Sequence, residues 1–468
     1  MAKAHVSHGP GAVEKLAEWA LAPRAADIPA AAITQAKLLL LDSIGCGYAA
    51  YGEESARAVL DTLKDLGGAP QCTVIGSATR TSAPNAALVN GSLIRILDLN
   101  DYVNTKSGQI GGHPSDNIPV AFAAGEFAGA SGRDVLAAVV IGYEVYGRLK
   151  EVMDRDSNWD GVTVSGFVAP VMAGRLMGLN ALQLANALAL SGARAATPLV
   201  VRHGAISAAK SVANALVAQN GVQATMLAKH GMTGPLDLFE NPHGLKSVFP
   251  MIAGAEKLTA PLTADCYLMS CHMKAYPCLA TGQGIVAAGL ALHEQIKGDV
   301  DRLTRITVAI ADQPFLHRQK DDPGRIDPTS REAADHSFNF LAAVSLIDGK
   351  FGLAQFDNER WNDPKVRAVM ARLDIVCDAD LNKHAAGSFP CAIRAKDRDG
   401  RDHMVEIPDP PGFSRNGLDA SAVTRKFNAI TANRLGEGLR SRIVEAVMGL
   451  DQSPSCDTLT KALAAAIV

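Results

Sequence analysis

Two short segments carry the residue types that proton-transfer chemistry requires. Leu97-Asp98-Leu99-Asn100-Asp101-Tyr102 closes an apolar helical pattern with two carboxylates and an amide. Gly111-Gly112-His113-Pro114-Ser115-Asp116 then presents a histidine in a glycine-rich turn. The proline biases His113 toward extended backbone, and the glycines permit close approach of a ligand. An imidazole that titrates near neutrality, with carboxylates nearby in sequence, can take and return protons. The competing expectation is that Asp98 and Asp101 cap a helix while His113 decorates a loop, and spacing alone leaves both open.

Cations that could serve an anionic ligand lie further on. Lys210 stands among small apolar residues near the start of a helix that runs to about Lys229; it is either held in a pocket or snorkels to solvent. Lys274, in Cys271-His272-Met273-Lys274-Ala275-Tyr276-Pro277-Cys278, falls where the texture of the chain changes, and ligand sites favour domain interfaces. Arg202-His203 could hold a carboxylate or simply lie at the surface. Cys266, Cys271, His272 and Cys278 lack the short C-x2-C pairs of zinc and cluster sites, so buried free thiols are expected. Phosphate-binding, dinucleotide-binding, nucleophile-elbow and H-E-x-x-H patterns are absent. Nothing in the sequence invites a metal or an organic cofactor.

These residues must be positioned by a large scaffold. At 468 residues, 48% hydrophobic and 20% charged, the chain suits a globular protein of two domains. A net charge of -3 gives no electrostatic footprint for nucleic acid. Eight scattered cysteines without a C-x-x-C pair suggest reduced thiols and a cytoplasmic location. Met1-Ala2-Lys3-Ala4-His5 opens no secretory signal, and the apolar stretch from Ala36 to Ala50 is too short and interrupted to span a bilayer. A soluble protein with no membrane partner is expected.

Helical periodicity marks Ala31 to Ala49, Ala86 to Leu97, Ile118 to Ala128, Gly132 to Val152, Val164 to Met177 and Ala181 to Leu190, with Asn180 as a cap. After Asp265 the pattern changes. Thr304 to Ile310 alternates as a strand, and Ala392 to Lys396 with Met404 to Ile407 flank a turn as a hairpin. Helices are expected between them at about Gly282 to Gln295 and Ser337 to Leu346. From about Ala420 the Ala-rich helical style returns. The fold class is therefore mainly α: a large all-helical domain (1–265 and 409–468) with an inserted smaller α+β domain (266–408).

Several segments resemble the MmgE/PrpD family, which includes 2-methylcitrate dehydratases, cis-aconitate decarboxylases and an iminodisuccinate epimerase. They are Leu38 to Gly45, Ala87 to Gly91, Leu97 to Asp101, Gly112 to Ser115, Ile141 to Val145, Lys229 to Pro235 and Asp335-His336-Ser337. The resemblance implies a helical domain with an α+β lid, a homodimer, no metal or organic cofactor, and a site between the domains. It also implies that Asp98, His113, Lys210 and Lys274 are site residues. Two departures stand out. Gly161 occupies a place where many members have histidine, and no histidine follows Lys274 in Cys278 to Gln283, though Tyr276 could supply an aromatic group there.

Dehydration of a small hydroxy-polycarboxylate such as 2-methylcitrate is the leading expectation. His113 would be acid or base oriented by Asp98, Lys210 and Lys274 would stabilise developing charge, and Arg202, Tyr276 and Asp101 would help to bind substrate. Isomerisation, epimerisation or decarboxylation at the same site is the alternative, and a non-catalytic carboxylate-binding paralogue the third.

Overall fold

The computed structural model describes residues 9–106, 111–153, 158–245, 255–384, 388–413 and 418–465 together with Ile467; the Met1 to His5 segment lies outside them. The first part is built from α1 (Ala12–Leu21), α2 (Ala30–Ala49), α3 (Glu54–Leu66), α4 (Ala83–Arg95), α5 (Ile118–Ala128), α6 (Gly132–Val152), α7 (Ser165–Leu176), α8 (Ala181–Gly192) and α9 (Ala209–Lys229). The expected helices appear within a few residues of their anticipated ends. Their caps follow the sequence: Asn180 Oδ1 accepts from the Gln183 amide at 2.9 Å, and Gln183 Oε1 accepts from the Asn180 amide at 3.1 Å.

Most of these helices are apolar on more than one face, because other helices surround them. Leu38 to Leu41 of α2 are all buried, and each such leucine stabilises the fold by about 1.5–3 kcal/mol relative to exposure. Helix α9 lies against α4, α7 and α8, which carries Lys210, in its first turn, to the end of α4. The membrane-spanning alternative for the Ala36 to Ala50 stretch does not arise: among the described residues no helix is long and apolar enough to cross a membrane.

A second apolar core forms beyond Lys274. Its sheet has the order β6-β5-β7-β8, with β5 (Leu303–Ala311), β6 (Leu373–Asp378), β7 (Cys391–Asp397) and β8 (Asp402–Ile407). The β7–β8 hairpin is as the sequence suggests. Parallel strand β6, at the edge beside β5, was not anticipated: Leu373-Asp374-Ile375-Val376-Cys377-Asp378 is short and only partly buried along its length, so its alternation is weak. Helices α10 (Gln283–Gln295) and α11 (Phe338–Asp348) pack together beside this sheet. Helix α12 (Ala420–Thr431) then returns to α2, placing Val423 and Phe427 in the first core.

Two small ladders also differ from the all-helical expectation for the first part. β1 (Cys72–Thr73) pairs with β2 (Arg80–Thr81), and β3 (Tyr102–Val103) pairs with β4 (Cys271–His272). The second ladder matters most, because it fastens the Asp98–Tyr102 segment to the segment bearing Lys274.

Candidate active site

Helix α4 ends at Arg95, and the chain then turns through Asp98 in the left-handed region, at φ +48°. Aspartate is among the few side-chain-bearing residues that visit this region, and strain there persists only where the surroundings over-determine it. Here they do. Lys274 donates to the Asp98 backbone carbonyl at 2.9 Å and also to its Oδ1. Arg95 Nη1 donates to the same Oδ1 at 2.5 Å, and Lys210 Nζ stands 3.3 Å from Oδ2. Lys210 also holds Asp335, at 2.8 and 2.9 Å, and Asp335 Oδ1 accepts from His336 Nδ1. Every one of these side chains is buried.

Burial sets the charges. Alone it would push the Asp98 carboxyl up, but Arg95, Lys274 and Lys210 together hold it well below the usual carboxylate range. Asp335 is likewise held low against burial by Lys210 and His336. Burial, reinforced by Arg95 and Lys274, drives the His113 imidazole well below 6.5; burial and Lys210 bring His336 to about 3. Both rings are therefore neutral at pH 7.

Their tautomers follow from their partners. His113 Nδ1 lies 2.6 Å from the Asp101 carbonyl oxygen, which can only accept, so Nδ1 carries the proton and Nε2 the lone pair. Nε2 stands 3.9 Å from Asp98 Oδ1, and His336 Nε2 stands 3.6 Å from Asp98 Oδ2. One basic nitrogen thus lies on each side of a buried carboxylate.

Both rings open on a cavity of about 470 Å³. Among the described residues its charged lining comprises Arg95, Lys150, Arg202, Arg318 and Arg325 against Asp98, Asp116 and Asp160, an excess of positive charge suited to a small polyanion. Of the residues anticipated from sequence, Asp98, His113 and Arg202 line the cavity, and His203 joins them. The Arg202 guanidinium is oriented by Asp160, at 2.7 Å from Nε.

Four anticipated residues do not line it. Lys210 and Lys274 are fully buried and outside its lining, because their ammonium groups are drawn onto Asp98 and Asp335. Asp101 lies behind His113, accepting from Ser115 Oγ at 2.5 Å and Tyr143 at 2.9 Å. Burial raises its carboxyl to about 7 against those two hydrogen bonds. Tyr276 packs edge-on against Phe351, in the second core.

Glycines 111 and 112 line the cavity and also meet a second need. A Cβ at Gly111 would fall 1.6 Å from the Val103 carbonyl oxygen, and one at Gly112 2.2 Å from Tyr146 Oη. They allow the His113 loop to bridge onto β3.

His336, Arg95 and Arg325 escaped sequence reasoning. Arg95 left a signal, a single cation in the last turn of an otherwise uncharged helix. Asp335-His336 precedes the N-cap Ser337 of an apolar helix, and that neighbourhood marks a helix start rather than a site.

Asp98, Asp335 and His336 offer donor atoms within 4.8 Å of one another, as metal ligands would. The Lys210 ammonium contacts both carboxylates and takes the cation's place. The thiols of Cys266, Cys271 and Cys278 are buried and pushed up by burial, which makes them poor nucleophiles.

The MmgE/PrpD N-terminal domain description matches residues 14–255 and the MmgE/PrpD C-terminal domain description residues 276–452. A cis-aconitate decarboxylase of Mus musculus is 26% identical, covering 92% of this chain and 89% of its own. A cis-aconitate decarboxylase-like protein of Aspergillus oryzae is 25% identical over 95% of each chain. A 2-methylcitrate dehydratase of Escherichia coli is 24% identical over 89% of this chain and 90% of its own. Together the two domain matches cover most of the sequence: the chain belongs to the MmgE/PrpD family.

Proposed function

We propose that this protein is a lyase that removes water from a small hydroxy-polycarboxylate of the 2-methylcitrate kind, with no cofactor. The observation that carries the reading is His113. Its Nδ1–H is tied to the Asp101 carbonyl, which leaves a neutral, basic Nε2 on the wall of a cation-rich cavity. In this reading Nε2 takes the proton from the carbon next to a carboxylate, and the C–H electron pair becomes the new double bond. The C–O bond breaks, and the imidazolium, stabilised by Asp98, returns its proton to the departing hydroxyl so that water leaves. Arg95, Lys210 and Lys274 keep Asp98 ionised for that role, and the preorganised cations favour the charge that develops on the substrate. The α+β part acts as a lid that contributes His336 and Arg325 from above.

Turnover of 2-methylcitrate by purified protein, followed as alkene formation, tests this. His113→Gln should lower kcat by about 10²–10⁴-fold without unfolding the protein; parental turnover in that variant would overturn the assignment. Decarboxylation of a related tricarboxylate is the second reading, favoured by the similarity to cis-aconitate decarboxylases. Release of carbon dioxide from cis-aconitate without hydration or dehydration would select it.

A further inference from the structure

Seven of the eight cysteines are buried, and Cys377, on the edge strand β6, is the one that solvent partly reaches. Cys377 pairs with Ile310 of β5, and Asp312 follows the end of β5 by one residue. The chain then turns into the short helix Pro314–Lys320, which carries His317. One donor atom from each of Asp312, His317 and Cys377 lies within 4.8 Å of the others. The three residues come from three segments, and none of them lines the cavity around His113.

Local structure fixes their positions. Asn382 clamps Asp312 through both of its backbone groups: the Asp312 amide donates to Asn382 Oδ1 at 3.0 Å, and its carbonyl accepts from Asn382 Nδ2 at 3.1 Å. His317 Nε2 lies 2.6 Å from Asp312 Oδ1; a carboxylate can only accept, so Nε2 carries the proton. Both side chains are about half exposed. Burial pushes the Cys377 thiol up and Lys320 opposes it, while Lys320 is itself paired with Asp321. Asp312 thus has an imidazole as its partner, where Asp98 and Asp335 share the ammonium of Lys210.

We propose that Asp312, His317 and Cys377 form a site for a zinc-class divalent ion on the outer side of the helix Pro314–Lys320. A thiolate, an imidazole and a carboxylate are the donor set that zinc and its neighbours take, whereas magnesium and calcium prefer oxygen alone. Tetrahedral zinc would set these donors about 3.3–3.6 Å apart, so the ring and the carboxylate part slightly while the thiol closes in. On binding, the thiol gives its proton to solvent and the imidazole proton moves to Nδ1, which frees Nε2 to ligate. The thiolate and the carboxylate then balance the two charges of the ion. Phe315, Arg318 and Gln319, at i, i+3 and i+4 of the same helix, line the cavity. Gln319 accepts from Thr281 Oγ1 there at 2.7 Å. A bound ion would tie this helix to β5 and β6 and so hold one wall of the cavity, without entering any step of the elimination.

Cobalt(II) is the probe, because it takes zinc sites and reports a bound thiolate by a charge-transfer band. Titrated into full-length, chelator-stripped protein, cobalt should raise that band to saturation at one equivalent, and zinc should abolish it by displacement. Cys377→Ser should remove the band, and His317→Gln should weaken binding by about tenfold or more, since losing even an outer partner of a ligand costs that much. Cys377→Ala gives the same readout should the serine variant fold poorly. Zinc should also slow hydrogen exchange over residues 314–320 in the parent and leave it unchanged in Cys377→Ser. No band in the parent at a clear excess of cobalt overturns the inference. So does a band that survives both Cys377 variants, since its thiolate is then another cysteine, or parental affinity in His317→Gln. A band without protection of the helix overturns the hold on the cavity wall. None of these readouts involves turnover, so they stand or fail apart from the lyase reading.

Discussion

Replacing Lys210 by methionine removes the ammonium shared by two buried carboxylates. Asp98 and Asp335 present oxygens within 4.8 Å of each other, with Lys210 in contact with both. Two like charges at that separation repel by about 3.5 kcal/mol at an effective dielectric of 20, in line with the roughly 3–5 kcal/mol for breaking a buried pair. The variant can escape part of this cost by protonating one carboxylate, whose folded pKa then rises above the unfolded value near 3.9. A raised acid pKa costs nothing below the unfolded value and its full amount above the folded one. Lys210→Met should therefore lose about 3 kcal/mol at pH 8 and clearly less at pH 4.5, read from denaturant midpoints at matched slopes. Adding Asp335→Asn should recover most of the loss at pH 8, because the repulsion has no second charge. A cost below 1 kcal/mol at pH 8, a cost independent of pH, or additivity in the double variant would refute the charge accounting.

The lowered His113 pKa places the acid limb of kcat/KM below pH 6.5, since the unprotonated ring is the base and is lost only as pH falls through the folded value; half-maximal activity at or above pH 6.5 would contradict this. Asp101, raised to about 7 from 3.8, contributes stability that is full below 3.8 and lost as pH rises toward 7. Asp101→Asn should therefore flatten the fall in melting temperature between pH 4 and 7 and melt no lower than the parent at pH 8, a difference of a few kcal/mol at most. A Cβ at Gly161 would fall 2.5 Å from Lys150 Nζ, the movable end of a flexible side chain, so Gly161→Ala should raise KM severalfold while kcat and melting temperature stay near parental values; steady-state kinetics with a melting curve decides it.

The helical frame was legible because its signals are local. Ile118–Ala128 and Gly132–Val152 have the ends that periodicity and caps give them, and the β7–β8 hairpin is marked by its turn. Strand β6 was not legible: a parallel edge strand is defined by a partner, β5, that pairs with it from more than sixty residues away. Asp98 and His113 could be picked out because their neighbours in sequence are also their neighbours in space. Lys210 and Lys274 were found, but not the direction of their side chains, which depends on carboxylates more than a hundred positions away. His336 and Arg325 belong to the same class. Arg325 follows Pro323-Gly324 on a short helical turn, and only the meeting of two distant segments makes it part of a cavity.

The separation of these charges along the chain has a consequence for how the protein is made. A ribosome releases Asp98 long before Lys274, and Lys210 long before Asp335, while Lys426, the partner of buried Asp42 at 2.7 Å, emerges long after Asp42. The first helices therefore leave the tunnel with polar groups that cannot yet be buried in their final pairs. Loop closures of this length are slow, and partly folded chains with open apolar faces aggregate. Completion of the Asp98 turn waits for α12 to dock on α2, where Lys426 also donates to the Leu99 carbonyl at 2.8 Å, which makes loss of α12 a lesion of the pocket even though, among the described residues, none of its lining lies there.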